Sequence, residues 1–191
     1  MKRFAFALAT LFGAVVIGAA QQPQTPKTSP QQEAAAAPAA NPADVSSPDA
    51  ILAALYDVIS GPAGQKRDWE RFRSLFLPGA RLIPAGPLRA GLKSPRVLTP
   101  DDYVAAASVS LEKNGFYERE FSRRSERFGA ILHVFSTYES RHAAQDAAPF
   151  ARGINSIQLY GDGTRWWIVT VLWQAETAEL HLPAEFLPGG K

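Results

Sequence analysis

Apolar positions along this chain keep two periods, one helical and then one extended. In "SPDAILAALYDVISGP" the residues Ile51, Leu52, Leu55, Val58 and Ile59 recur at three- and four-residue spacing, which predicts an amphipathic helix. Ser47 can cap it, Pro48 suits its first position, and Gly61-Pro62 stops it. "RDWERFRSLFLPG" predicts a second, short helix. Asp68 caps it, Trp69, Phe72, Leu75 and Phe76 form its apolar stripe, Arg67, Glu70, Arg71 and Arg73 are the charged complement, and Pro78-Gly79 ends it. "ARLIPAG" reads as a short strand, followed by a Gly/Pro-rich loop to Leu98. "TPDDYVAAASVSLEKNG" is a third helix, with Thr99 and Asp102 at capping-box spacing and Asn114-Gly115 at its end. After Gly115 the period drops to two through "FYEREFSRRSERF", "GAILHVFSTYESRH", "FARGINSIQLYG" and "TRWWIVTVLWQAE". "YGDGT" between the last two is a tight hairpin turn. Helices first and consecutive antiparallel strands afterwards argue for an α+β domain. "LHLPAEFLPGGK" is broken by proline and is expected to lie along the surface.

The ends change the picture. Lys2 and Arg3 precede the apolar run Phe4–Ala20, and the small residues Gly18 and Ala20 stand before Gln21 as at a cleavage site. Residues 1–20 therefore read as a signal peptide, and the domain as secreted or periplasmic after cleavage, with no stable membrane anchor. An uncleaved anchor is the alternative, since the run lies at the lower edge of spanning length. Residues 21–47 are rich in Pro, Gln and Ala, without an aromatic residue and with a single valine. Such a segment buries too little surface to offset its ordering entropy and reads as a disordered linker. Residues 48–191 fit one domain.

Setting Lys2 and Arg3 aside, the remaining basic residues equal the 18 acidic ones. No basic patch interleaves with aromatics, so nucleic acid is not an expected partner. Cysteine is absent, which excludes disulfides, thiolate metal ligands, a thiol nucleophile and a lipid-modified cysteine.

Two short helices, a strand, a third helix and a four-strand meander resemble the nuclear transport factor 2-like superfamily. The similarity is clearest at "DWERFRSLFLPGARL", "GAILHVFSTYE" and "GINSIQLYGDGTRWWIVTVLW" and covers roughly residues 48–176. The resemblance implies three helices packed in a curved, mainly antiparallel sheet. That is a cone-shaped α+β barrel with a pocket, in many members a homodimer through the outer sheet face. Members include ketosteroid isomerase, scytalone dehydratase, polyketide cyclases and non-catalytic binding modules.

On the last strand strict alternation puts Trp166, Ile168, Thr170, Leu172 and Gln174 on one face and Trp167, Val169, Val171 and Trp173 on the other. Both are largely apolar, so both should be covered. The resemblance assigns the Trp166 face to the pocket and the Trp167 face to a homodimer. The alternative cover is the C-terminal tail, through Leu182, Phe186 and Leu187. On the strand from Gly129 it favours Leu132, Val134, Ser136 and Tyr138 inward over Ile131, His133, Phe135, Thr137 and Glu139. The candidate ligand-contacting set is then Trp69, Tyr103, Ser136, Tyr138, Asn155, Trp166, Thr170 and Gln174. It offers a small apolar ligand hydroxyls and amides but no acid.

No carboxylate or histidine is placed in the pocket by this reading. His133 would serve as a general base if it pointed inward near Glu118 or Glu139, but a lone strand histidine is more often structural. Asp57 belongs on the polar face of its helix, and the ketosteroid isomerase pairing of an Asp base with a Tyr–acid oxyanion hole finds no match. The charged run Glu118–Arg127 reads as a solvated sheet face, with an arginine that holds an anionic ligand as the sharper alternative. The three histidines lack metal-ligand spacing, and no phosphate loop or dinucleotide fingerprint occurs, so neither metal nor cofactor is expected. The expected function is an exported small-molecule-binding or interaction module. The alternative is a cofactor-free isomerase, dehydratase or cyclase working by proton transfer. A buried acid within hydrogen-bond reach of a Tyr or Asn in the pocket would favour the alternative.

Overall fold

The computed structural model describes residues 37–86 and 96–190. The expected signal peptide and residues 21–36 of the expected linker lie outside the described residues. The elements are α1 (Pro42–Val45), α2 (Pro48–Ile59), α3 (Trp69–Ser74), β1 (Phe76–Pro84), α4 (Pro100–Asn114), β2 (Tyr117–Phe128), β3 (Ile131–Arg141), β4 (Ala151–Gly161) and β5 (Trp166–Ala175). The strands form one sheet in the order β1-β5-β4-β3-β2, antiparallel except where β1 runs parallel to β5.

Local sequence signals set the helix ends. Ser47 accepts from Ala50 N–H at the start of α2, Asp68 from Arg71 N–H at the start of α3, and Thr99 with Asp102 closes a reciprocal capping box on α4. Helix α3 is shorter than its apolar stripe suggests. Phe76 already belongs to β1, and Pro78-Gly79 lies inside that strand, where the register with β5 shifts.

Helices α2 and α3 press Ile51, Leu52, Leu55, Val58, Phe72 and Leu75 against one face of the sheet. That face presents Leu132, Val134, Ile157, Leu159 and Ile168. On β3 the inward set is Leu132, Val134, Ser136 and Tyr138, as the resemblance implies. The domain begins earlier than expected. Asn41 caps α1, the single valine of the expected linker, Val45, is in the core, and Asp44 pairs with Arg71 at 2.7 Å. The polar composition around one buried valine concealed this turn.

Two β-bulges decide which side chains face the helices. On β2, Glu120 and Ser122 stand opposite the consecutive residues Tyr138 and Thr137, so Phe121 is the extra residue. On β5, Thr170 and Ile168 stand opposite Gln158 and Leu159, so Val169 is extra. Beyond each bulge the facing parity inverts. Thr170 and Gln174 therefore lie on the outer face, while Val171 and Trp173 turn inward beside Ile157 and Asn155. The expected partner face of Trp167, Val169, Val171 and Trp173 is thus not one face. Trp167 is engaged by its own hairpin, with the Arg165 guanidinium 3.5 Å over its ring and its Nε1–H donating to Asp162 at 2.7 Å. Part of the outer face is covered by the tail. A 3-10 turn at Ala184–Phe186 sets Phe186 against Phe135, and the Phe186 carbonyl accepts the Thr137 hydroxyl at 2.8 Å.

Arg67 departs from its expected place among exposed charges, for it is 6% exposed. Its guanidinium donates to the carbonyls of Ile59 (3.0 Å), Gly61 (2.6 Å), Gln65 (2.6 Å), Pro62 (3.4 Å) and Leu111 (3.3 Å). It thereby ties the loop after α2 to the last turn of α4. Arg67→Met takes the side-chain donor from these carbonyls, of which Gly61 keeps the Phe116 N–H and Pro62 the Gln65 N–H. The expected loss is about 3 kcal/mol in chemical denaturation, of which Arg67→Lys restores only a part because an ammonium cannot span the same fork. A loss below about 1 kcal/mol would show that the carbonyls find other partners.

Candidate functional site

The bulge on β2 turns two carboxylates toward the helices. Glu118 stands opposite Ser140 and Glu120 opposite Tyr138, on the inward face of the sheet, instead of the solvated face expected of this run. Glu118 lies on the wall of a cavity of about 260 Å³. Aromatic rings dominate that wall: Tyr56 from α2, Phe72 from α3, Tyr103 from α4, Phe116, Tyr138 from β3, Phe150 and Trp173 from β5. The volume falls just below the range of about 300–1,000 Å³ usual for ligand pockets. A second, more polar cleft of about 440 Å³ shares Tyr56 and Glu118 with it and adds Asp57, Ser60, Arg119, Arg141 and Asp146.

A directional string of hydrogen bonds runs beneath the cavity. Ser136 donates its only hydroxyl proton to Glu120, so Tyr56 donates to Ser136 at 2.6 Å. The Asn155 amide then donates to the Tyr56 oxygen at 3.0 Å and to Glu118 at 3.4 Å. Ser140 donates to the other Glu118 oxygen at 2.9 Å. Glu120 is held by Arg123 at 2.7 Å, and Arg123 reaches Asp49 at the start of α2. Among the described residues Glu118 has no such cation. Burial pushes its carboxyl up to about 7, and the bonds from Ser140 and Asn155 only partly oppose this. Burial also pushes the hydroxyls of Tyr56, Tyr103 and Tyr138 upward, and the Glu118 charge adds to it.

The structure brings three of the eight candidate residues onto the cavity wall: Tyr103, Tyr138 and Asn155. Tyr103 stacks on Phe72 at 5.3 Å and meets Trp173 edge-on at 6.3 Å. Ser136 lies one bond behind the wall, through Tyr56. The other four are elsewhere. Trp69 packs edge-on against Phe72 and donates its indole N–H to Glu112 at 3.0 Å. Trp166 sits at the opposite end of β5 from Trp173, under the Arg127 guanidinium. Thr170 and Gln174 face outward because of the Val169 bulge.

The residues missed are Tyr56, Phe116, Glu118, Phe150 and Trp173. Strict alternation puts Glu118, Glu120 and Phe128 on one face, whereas the bulge at Phe121 turns the two glutamates inward and leaves Phe128 outside. Nothing in the sequence marks that bulge. His133 points outward, bonded to Ser156 at 3.0 Å and packed on Phe135 at 4.5 Å, so it is not a pocket base. Asp57 is exposed and paired with Arg71 at 2.5 Å. Among the described residues no cluster of His, Asp and Glu is arranged to hold a metal ion.

Gly153, opposite Tyr138 on β4, explains how the Tyr138 ring fits. A Cβ there would come within 2.6 Å of the Tyr138 hydroxyl and 2.3 Å of the Gln174 carbonyl. Only glycine lets this ring lie flat across the strand.

The raised Glu118 carboxyl has a consequence for stability. The folded chain holds the proton more tightly than the unfolded one. Its contribution is therefore complete below the ordinary carboxyl range and lost as pH rises through about 7. Glu118→Gln removes that loss. The wild type is expected to weaken against this variant between about pH 5 and 8 by on the order of 2 kcal/mol, since solvent reaching the carboxyl screens part of the effect. Urea denaturation at several pH values checks it, and parallel curves would show that Glu118 titrates as an ordinary acid.

No family model and no curated protein matches the sequence. Solved structures do resemble it. A protein of unknown function with a cystatin-like fold from Nostoc punctiforme superposes with a TM-score of 0.50 at 8% identity, over 66% of this chain and 86% of that one. An NTF2-like protein of unknown function from Shewanella baltica gives 0.45 at 11% identity, over 67% and 90%. Another from Silicibacter pomeroyi gives 0.46 at 12%, over 67% and 92%. Likeness at such identity concerns the fold alone. With its helices on the inner face of a five-stranded mixed sheet, the chain has an α+β fold similar to that of the cystatin-like protein from Nostoc punctiforme.

Proposed function

We propose that the domain binds a small, largely apolar molecule in the aromatic cavity. The observation that carries this reading is the cavity itself, walled by aromatic rings with the Glu118 carboxyl, Asn155 and Ser140 as its few polar groups. A ligand site has this composition: apolar walls that desolvate the guest and a few polar atoms that orient it. Glu118 also favours a second reading, proton transfer without a cofactor. An acid poised near 7 exchanges protons in both directions at neutral pH, and Asn155 fixes its orientation. The Glu118 carboxylate takes a proton from a carbon beside a carbonyl, the electron pair moves onto the carbonyl oxygen, and the carboxyl returns the proton.

2-Tetralone tests both readings. Binding followed by NMR titration is expected in the wild type and is expected to be lost in Ala151→Phe, whose ring fills the cavity from β4. Failure of the wild type to bind sinks the binding reading. In D2O the proton-transfer reading expects the protein to speed deuteration of the ketone's acidic carbons and Glu118→Gln to slow it by about 100-fold. Binding without exchange leaves a binding module.

We infer in addition that the domain is exported. The apolar run Phe4–Ala20 behind Lys2 and Arg3 supports this. The mature protein from a bacterial host is expected in the periplasmic or secreted fraction with Gln21 as its first residue. An intact Met1 on protein in the cytosol would refute export.

A further inference from the structure

The cavity wall is asymmetric in charge. Among the described residues, Glu118 is its only acidic side chain, and no Lys, Arg or His lines it. The nearby cations are engaged elsewhere. Arg123 is held by Glu120 and Asp49, Arg119 and Arg141 both pair with Glu139, and Arg71 is shared by Asp44 and Asp57. A carboxyl has about four acceptor positions. Glu118 uses one for Ser140 and one for a long bond from Asn155, so acceptor capacity is left toward the cavity. A buried carboxylate without a countercharge is costly, and a cation from outside removes that cost. Aromatic rings complete the setting, since their negative faces attract an ammonium group.

We propose, resting on the binding reading above, that the ligand carries a basic nitrogen, with its ammonium against Glu118 and its apolar body among Tyr103, Phe116, Phe150 and Trp173. The same wall disfavours carboxylates and phosphates, which would meet Glu118 with like charge and find no cation within the cavity. The sharper sequence reading, an arginine from β2 holding an anionic ligand, loses its basis in this cavity because none of those arginines lines it. The titratable and charged groups around Glu118 are Tyr56 from α2, Tyr103 from α4, Tyr138 from β3, Glu120 on its own strand, and Asp57, Arg119, Arg141 and Asp146 across the adjoining cleft, while only the bonds from Ser140 and Asn155 oppose the effect of its burial.

Three probes of one size and shape separate charge from fit: 2-aminotetralin, 2-tetralol and tetralin-2-carboxylate. NMR titration of the purified protein at neutral pH is expected to show the amine binding at least about tenfold tighter than the alcohol, with the carboxylate weakest. In Glu118→Gln the amine is expected to fall to the level of the alcohol. Equal affinity of amine and alcohol in the wild type overturns the proposal while leaving the binding reading intact, and so does an amine preference that survives in Glu118→Gln. If none of the three binds and 2-tetralone does not bind either, both readings fall together. The wild-type series decides the question by itself should the variant fail to fold.

Discussion

The pocket depends on two extra residues in the sheet. A strand has a side-chain period of two, so one inserted residue exchanges the faces of everything beyond it. Phe121 does this on β2 and Val169 on β5. The first puts Glu118 and Glu120 inside in place of Arg119 and Tyr117. The second puts Trp173 inside in place of Leu172 and Gln174. Both changes act at the same end of the sheet, where Tyr138 and Asn155 stand between β2 and β5. Without the bulges that end would offer the helices Tyr117, Arg119, Thr170, Leu172 and Gln174. With them it offers a carboxyl and an indole around a void.

Hydrogen bonds tie together the elements around the void. Arg67 fixes the loop after α2 against α4, which holds Tyr103 at the wall. The string from Asn155 through Tyr56 and Ser136 to Glu120 fixes the floor, with every proton assigned a direction. Among the described residues no buried side-chain polar atom lacks a partner, so this polar floor adds order without an unsatisfied group. Gly153 completes it by giving Tyr138 room that any side chain would close.

Much of the fold was legible because its signals are local. Ser47, Asp68 and Thr99 announce helix starts through single side-chain bonds, and "YGDGT" announces a hairpin through Asp162, which accepts from Thr164 and Arg165. The inward set on β3 was legible through the family resemblance. The bulges were not, since Phe121 and Val169 are ordinary strand residues and the extra backbone unit leaves no mark in composition. That single omission accounts for Thr170, Gln174, Trp173 and Glu118 together. Arg67 and Val45 were hidden for another reason. Each is one buried residue in a polar stretch, and only tertiary packing tells it from its neighbours.

Glu118 and Glu120 show why position along one strand face is not enough to assign a role. Both point inward, two residues apart, and both accept a serine hydroxyl. Glu120 also meets Arg123, which Asp49 holds in place, so its charge is compensated from within the chain and its role is to anchor β2 to α2. Among the described residues Glu118 meets only neutral donors, and it borders the cavity of about 260 Å³. Among the described residues the chain supplies a countercharge for one of these half-buried acids and none for the other. The difference between the two glutamates, more than the shape of the fold, is what singles out this cavity as the candidate site.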